Sequence, residues 1–110
     1  MTAPRYDYAG NPLLAPRLAA ALKRVIDPEM ALDVVELGLV YRVDAAPGVT
    51  RVRLTMTSAA CPVAEHIVEE VGHELGAVRP GVPVDVELVW EPPWTPERMS
   101  ARARAAMGWE

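Results

Sequence analysis

Between residues 51 and 90 the apolar residues change period twice, and this constrains the fold more than any other feature of the chain. Val52, Leu54 and Met56 alternate with Arg51, Arg53, Thr55 and Thr57, the pattern of a strand with one covered face. Val63, Ile67, Val71 and Leu75 then recur every fourth residue before Arg79-Pro80-Gly81, as on a helix that buries a single stripe. Alternation returns in VPVDVELVW, where Val82, Val84, Val86, Leu88 and Trp90 stand against Pro83, Asp85, Glu87 and Glu91. Neither period suits the other structure, so a helix from Pro62 onward is expected between two strands. Pro83, which lacks an N–H for a ladder, points to an edge position at the start of the second.

Upstream, Leu14, Leu18, Leu22 and Val25 share one helical stripe, predicting a helix from Leu13 to Ile26. Pro28 stops it by driving Asp27 out of the α region. The run LVYRV after Gly38 predicts a strand from about Leu39, joined by Pro47-Gly48 to the strand at 51–57 as a hairpin. Downstream, EPPWTP breaks regular structure, and Thr95-Pro96 forms a cap and first-turn pair for a short helix, Glu97 to Met107, closed by Gly108. Residues 1–12, with Pro4, Gly10 and Pro12 and no sustained period, read as a flexible arm before a single domain over 13–110. The order α-β-β-α-β-α implies a two-layer α+β domain with a three-stranded, mostly antiparallel sheet. On this reading Trp90 is buried as the last inward residue of its strand, and Trp94 is at least partly exposed.

Composition narrows the partners. With 51% hydrophobic and 24% charged residues the chain is a folded domain, and with no Phe its core must be aliphatic. The net charge of −4, with eleven scattered basic residues, excludes the electrostatic footprint of a nucleic-acid binder. No apolar run has bilayer-spanning length, and MTAPRYDYAGNP has neither the charged nor the apolar region of a secretory signal, so no membrane partner is expected and the cytoplasm is the expected compartment. A lone cysteine excludes an internal disulfide, leaving its thiol to be judged on reactivity or ligation.

That residue, Cys61, precedes Pro62 at the positive end of the central helix, where unpaired N–H groups and the macrodipole favour a thiolate. A buried, inert thiol is equally compatible with the local sequence. Thr55, Thr57 and Ser58 lie just upstream, with hydroxyls able to bond a sulfur, a carbonyl or a ligand, although Thr is also simply a good strand former. Asp27 and Glu29 form a paired-carboxylate turn, DPE, that could serve as acid, base or hard metal ligand, yet such turns are common. His66 and Glu70 can meet one turn apart on the central helix, with His73 further on; without a second cysteine or an HExxH spacing, a solvated face outweighs a zinc site there. Glycine-rich phosphate loops, a GxSxG elbow and a CxxC pair are all absent.

Taken together, DPEMALDVVELGLVY, LTMTSAACP and LVWEPPWTPERMS, in this order, resemble the PaaD-like and SufT family of iron–sulfur cluster assembly factors, which includes the eukaryotic cytosolic cluster-targeting factors. The likeness runs from about Leu14 to Gly108 and is nearer the single-domain YitW type than the PaaD type, which usually carries an additional cysteine-bearing C-terminal region. It implies an α-β-β-α-β core and a role in maturing iron–sulfur proteins. It also implies a pocket made of Asp27, Glu29, Thr57, Ser58 and Cys61. Met30 stands where Leu or Ile is usual, a change that removes no functional group.

The expected activity is therefore non-enzymatic: Cys61 binds iron or a cluster transiently and passes it between scaffold and client apoproteins. One thiolate cannot complete a four-thiolate cluster, so a partner or a homodimer would supply the rest. A cysteine-dependent enzyme or sulfur-transfer protein, and a pure client adaptor using EPPWTPERMS, are the competing expectations.

Overall fold

The computed structural model describes residues 6–28, 30–57 and 61–108, with backbone alone at 61–63. In chain order come β1 (Asp7–Gly10), α1 (Ala15–Leu22), β2 (Ile26–Asp27), β3 (Leu32–Asp33), β4 (Val40–Ala46), β5 (Val49–Leu54), α2 (Cys61–Val78), β6 (Val84–Leu88), a 3-10 turn (Pro96–Arg98) and α3 (Ala101–Ala106). The alternating and four-spaced runs thus become β5, α2 and β6, confirming the α+β class.

One sheet has the order β1-β4-β5-β6, and β2 with β3 forms a separate ribbon. β4 and β5 are the expected antiparallel hairpin, whereas β1 runs parallel to β4 and β6 parallel to β5. The three-stranded, mostly antiparallel sheet is therefore corrected to four strands, with two of the three pairings parallel. Connection explains the change. α2 carries the chain from the end of β5 back to the start of β6, and a helical crossover delivers the second strand parallel to the first.

The fourth strand comes from the segment expected to be an arm. Asp7–Gly10 is too short to show a period, and its ladder with Arg42–Ala45 exists only in the tertiary structure. Gly10, at φ 119°, permits the approach, since a Cβ there would stand 2.5 Å from the Ala45 carbonyl oxygen. Helix α1 likewise differs from its expected span, ending at Leu22 rather than Ile26. Residues 25–27 are drawn into extended pairing: the Val34 N–H donates to the Val25 carbonyl at 3.0 Å, and Ile26 and Asp27 face Asp33 and Leu32.

Both long helices cover one face of the sheet. Leu18, Ala21 and Leu22 of α1 join Ala64, Ile67, Val71, Leu75 and Val78 of α2 in a core with Val43, Ala45, Val52 and Leu54. Ile67, Val71 and Leu75 are fully buried, and each such side chain contributes about 1.5–3 kcal/mol. The Arg24–Glu74 pair, which joins the turn after α1 to α2 at 2.7 Å with the arginine exposed, contributes at most about 1 kcal/mol. Apolar contact therefore holds α1 to α2. Along the other sheet face lie Arg42, Asp44, Arg53 and Glu87, tied by Arg42–Asp44 and Arg53–Glu87 pairs at 3.0 and 3.1 Å.

The C-terminal segment departs most from expectation. Instead of one helix over Glu97–Met107 there is a 3-10 turn, a break at Met99 and Ser100, and the six-residue α3. Met99 is buried in the core, and the Ser100 N–H donates to the Glu36 carbonyl at 2.9 Å, so tertiary contacts interrupt the helix. Ser100 Oγ then caps α3 by accepting from the Ala103 N–H. Trp90 is 46% exposed, contrary to the expected burial, because β6 ends at Leu88 and alternation no longer fixes its face. Trp94 is half-buried, its indole donating to the Leu37 carbonyl at 2.7 Å, while the Tyr41 hydroxyl donates to the Pro92 carbonyl and the Arg98 guanidinium lies 4.4 Å from the Tyr41 ring centre. EPPWTP is thus folded onto residues 37–41 rather than held free.

Candidate functional site at one end of the sheet

A chain of backbone hydrogen bonds brings distant segments to one end of the sheet. The Thr55 N–H donates to Leu39, Leu39 to Val34, and Val34 to Val25, at 2.8, 3.0 and 3.0 Å. The Val89 N–H donates to the Leu54 carbonyl at 2.7 Å. Val25, Val34 and Leu39 and the ends of β5 and β6 therefore share that end.

Asp27 closes β2 there and is only 2% exposed. Its Oδ1 accepts from the Met30 N–H at 3.4 Å and its carbonyl from the Ala31 N–H at 2.8 Å. Ala31 holds φ 57°, in the left-handed region that residues with a Cβ rarely occupy. Thr57 is half-buried in the bend after β5. Cys61 is the first residue of α2. Glu29, Ser58 and the Cys61 side chain lie outside the described residues, so of the five predicted site positions the structure describes the side chains of Asp27 and Thr57. Among the described residues no three His, Cys, Asp or Glu side chains form a metal-holding group. His66 and Glu70 make an exposed pair at 3.4 Å, as their helical spacing predicts.

One residue of this end gains a role that its sequence reading lacked. Asp33 Oδ1 accepts from the N–H groups of Val35 and Glu36 at 3.0 and 2.9 Å, capping the turn that carries the chain to Gly38. Burial pushes its carboxyl above the ordinary value against the pull of those bonds. The D-V-V-E spacing, like that of a capping box, is the signal that could have found it. Thr55 is 1% exposed, and its hydroxyl is the one buried side-chain polar atom without a hydrogen-bond partner among the described residues. Such an atom costs about 1–3 kcal/mol, and nothing in the alternating pattern signals it.

A family model described as iron–sulfur cluster assembly protein matches residues 17–88. The chain belongs to the iron–sulfur cluster assembly family. It is 43% identical over 96 residues to the Fe-S protein maturation auxiliary factor YitW of Bacillus subtilis, covering 86% of this chain and 94% of that protein. To the Fe-S protein maturation auxiliary factor SufT of Staphylococcus aureus it is 42% identical over 85 residues, 76% of this chain and 97% of that one. A crystal structure of a domain of unknown function from Bacillus anthracis superposes with a TM-score of 0.80 at 43% identity, covering 89% of this chain and 94% of that one. Residues 25–39 and the β5–α2 junction fall inside the stretch matched by the iron–sulfur cluster assembly family, and the segment from Val89 onward falls outside it. Membership gives the chain a role in iron–sulfur cluster assembly and maturation.

Proposed function

We propose that the chain is a non-enzymatic maturation factor that binds iron or an iron–sulfur cluster transiently through Cys61 and delivers it to client apoproteins. The observation that supports this reading is that the chain's one cysteine is the first residue of α2. A helix start leaves backbone N–H groups unpaired and carries a partial positive charge, which favours the thiolate, and the thiolate is what ligates iron. One thiolate leaves most coordination positions to other donors, which suits a cargo that must leave again. Those donors come from a scaffold or client apoprotein, or from Cys61 of a second copy in a homodimer.

Asp27, Glu29, Thr57 and Ser58 form the oxygen-rich side of the proposed site. Their carboxylates oppose an unoccupied thiolate and favour a cation, so the site is easier to fill than to leave empty. The cytoplasm, with its reduced thiols, is the compartment that suits such a cysteine. Among the described residues no helix is long and apolar enough to cross a membrane.

The test loads the protein with ferrous iron and sulfide without oxygen, then mixes it with an apoenzyme whose activity returns on acquiring a cluster. The wild type restores activity and Cys61→Ser does not. Restoration by Cys61→Ser at the wild-type rate would move the function to a cysteine-independent adaptor, with the exposed Trp90 as its docking residue.

A further inference from the structure

Among the described residues β6 is the last strand of the sheet, with β5 on one side only. The Thr50 N–H donates to the Pro83 carbonyl and the Val89 N–H to the Leu54 carbonyl, so in this parallel ladder the odd-numbered residues of β6 turn their N–H and C=O groups toward β5. Those of Val84, Val86 and Leu88 point to the open side. Such an edge is a template for another strand, and the side chains decide which one. Asp85 and Glu87 stand exposed on the outer sheet face, in register with Arg51 and Arg53 of β5. Val84, Val86 and Leu88, on the face that packs toward α2, are only half-buried against the core. Pairing β6 with β6 of a second copy would set acid against acid, and like charges directly opposite destabilise a strand pair. A strand with basic residues at its outer positions instead repeats the arginine–acid pairing already made with β5, and aliphatic residues at its inner positions cover the half-buried row.

We propose that the β6 edge binds an extended segment of a partner protein in which Lys or Arg alternates with aliphatic residues, extending the sheet by one strand. The backbone groups of Val84, Val86 and Leu88 supply the new ladder, and Asp85 and Glu87 supply the selection. The same two acids keep a second copy off the edge. This binding needs neither Cys61 nor a cargo.

The experiment titrates the protein with a short peptide alternating lysine and valine, a scrambled peptide of the same composition, and a peptide alternating glutamate and valine, and follows affinity and amide exchange by NMR. The alternating basic peptide should slow exchange at Val84, Val86 and Leu88 and leave Asp85 and Glu87, whose N–H groups face β5, unchanged. The scrambled peptide should bind more weakly. Combining Asp85→Lys with Glu87→Lys should weaken binding of the basic peptide roughly tenfold and reverse the preference toward the glutamate peptide, which also shows that the variant is folded. Equal binding of the alternating and scrambled peptides would overturn the proposal, since net charge alone would then account for it. Unchanged exchange at Val84, Val86 and Leu88 would overturn it equally. Protection of those three amides in the free protein as its concentration rises would make the occupant a second copy and overturn it too.

Discussion

Gly38 gives the sharpest test of how the C-terminal segment is held. It sits at φ 73°, and a Cβ there would meet the Arg98 carbonyl oxygen, with the Arg98 carbonyl carbon at 2.6 Å and its Cβ at 2.8 Å. Gly38→Ala therefore carries two costs. The left-handed backbone costs about 1–2 kcal/mol for a residue with a Cβ. Relief of the clash requires the 92–100 segment to move off residues 36–41, which breaks the Trp94–Leu37 and Ser100–Glu36 hydrogen bonds at about 1 kcal/mol each. The sum is about 3–4 kcal/mol, a large part of the 5–15 kcal/mol typical of a domain. Gly48 is the control, because it holds φ 81° in the β4–β5 turn with nothing within 4 Å of a built Cβ. Gly48→Ala should cost only the backbone part, about 1–2 kcal/mol. Urea unfolding followed by tryptophan fluorescence measures both, since all three tryptophans lie between Trp90 and the C-terminus. Equal midpoints for the two variants would refute the packing of the C-terminal segment against Gly38.

Three further outcomes follow from the same geometry. In single-tryptophan variants iodide should quench Trp90 more than Trp94, and the reverse order would return Trp90 to the core. Carboxyl NMR titration should place Asp33 above 3.8, because of burial, and Asp44 below 3.8, because of its hydrogen bonds from Arg42; the opposite order would contradict the account. Asp33's raised folded value adds stability that is complete below the unfolded value and fades as pH rises through the folded one, whereas Asp44's contribution is present above the unfolded value and is lost as pH falls through the folded one. Met99→Ala, at a fully buried position, should cost about 2–5 kcal/mol, and a change under about 0.5 kcal/mol would mean that Met99 does not help seat the C-terminal segment.

What could be read in advance followed from repetition. β5, α2 and β6 were legible because three to five apolar residues in each repeat one period, and the β4–β5 hairpin because Pro47-Gly48 marks its turn. β1 was not, since DYAG gains its structure only from the β4 edge. The parallel pairing was implicit in a helix lying between two strands, but the antiparallel hairpin beside it dominated the reading. Trp90 was misplaced because alternation was carried two residues beyond the end of β6. At the site, the positions of Asp27 and Thr57 at one end of the sheet depend on long-range hydrogen bonds through Val34 and Leu39 that no local pattern encodes. The orphaned hydroxyl of Thr55 depends on what surrounds it, which alternation does not report.

The central claim is that Cys61 holds the cargo. Anaerobic addition of ferrous iron and sulfide, followed by visible absorption, iron content and native mass on one sample, tests it most directly. The account predicts sulfur-to-iron charge-transfer absorption for the wild type, in a homodimer or in a complex with a client, and none for Cys61→Ser. Equal iron and equal absorption in Cys61→Ser would contradict it.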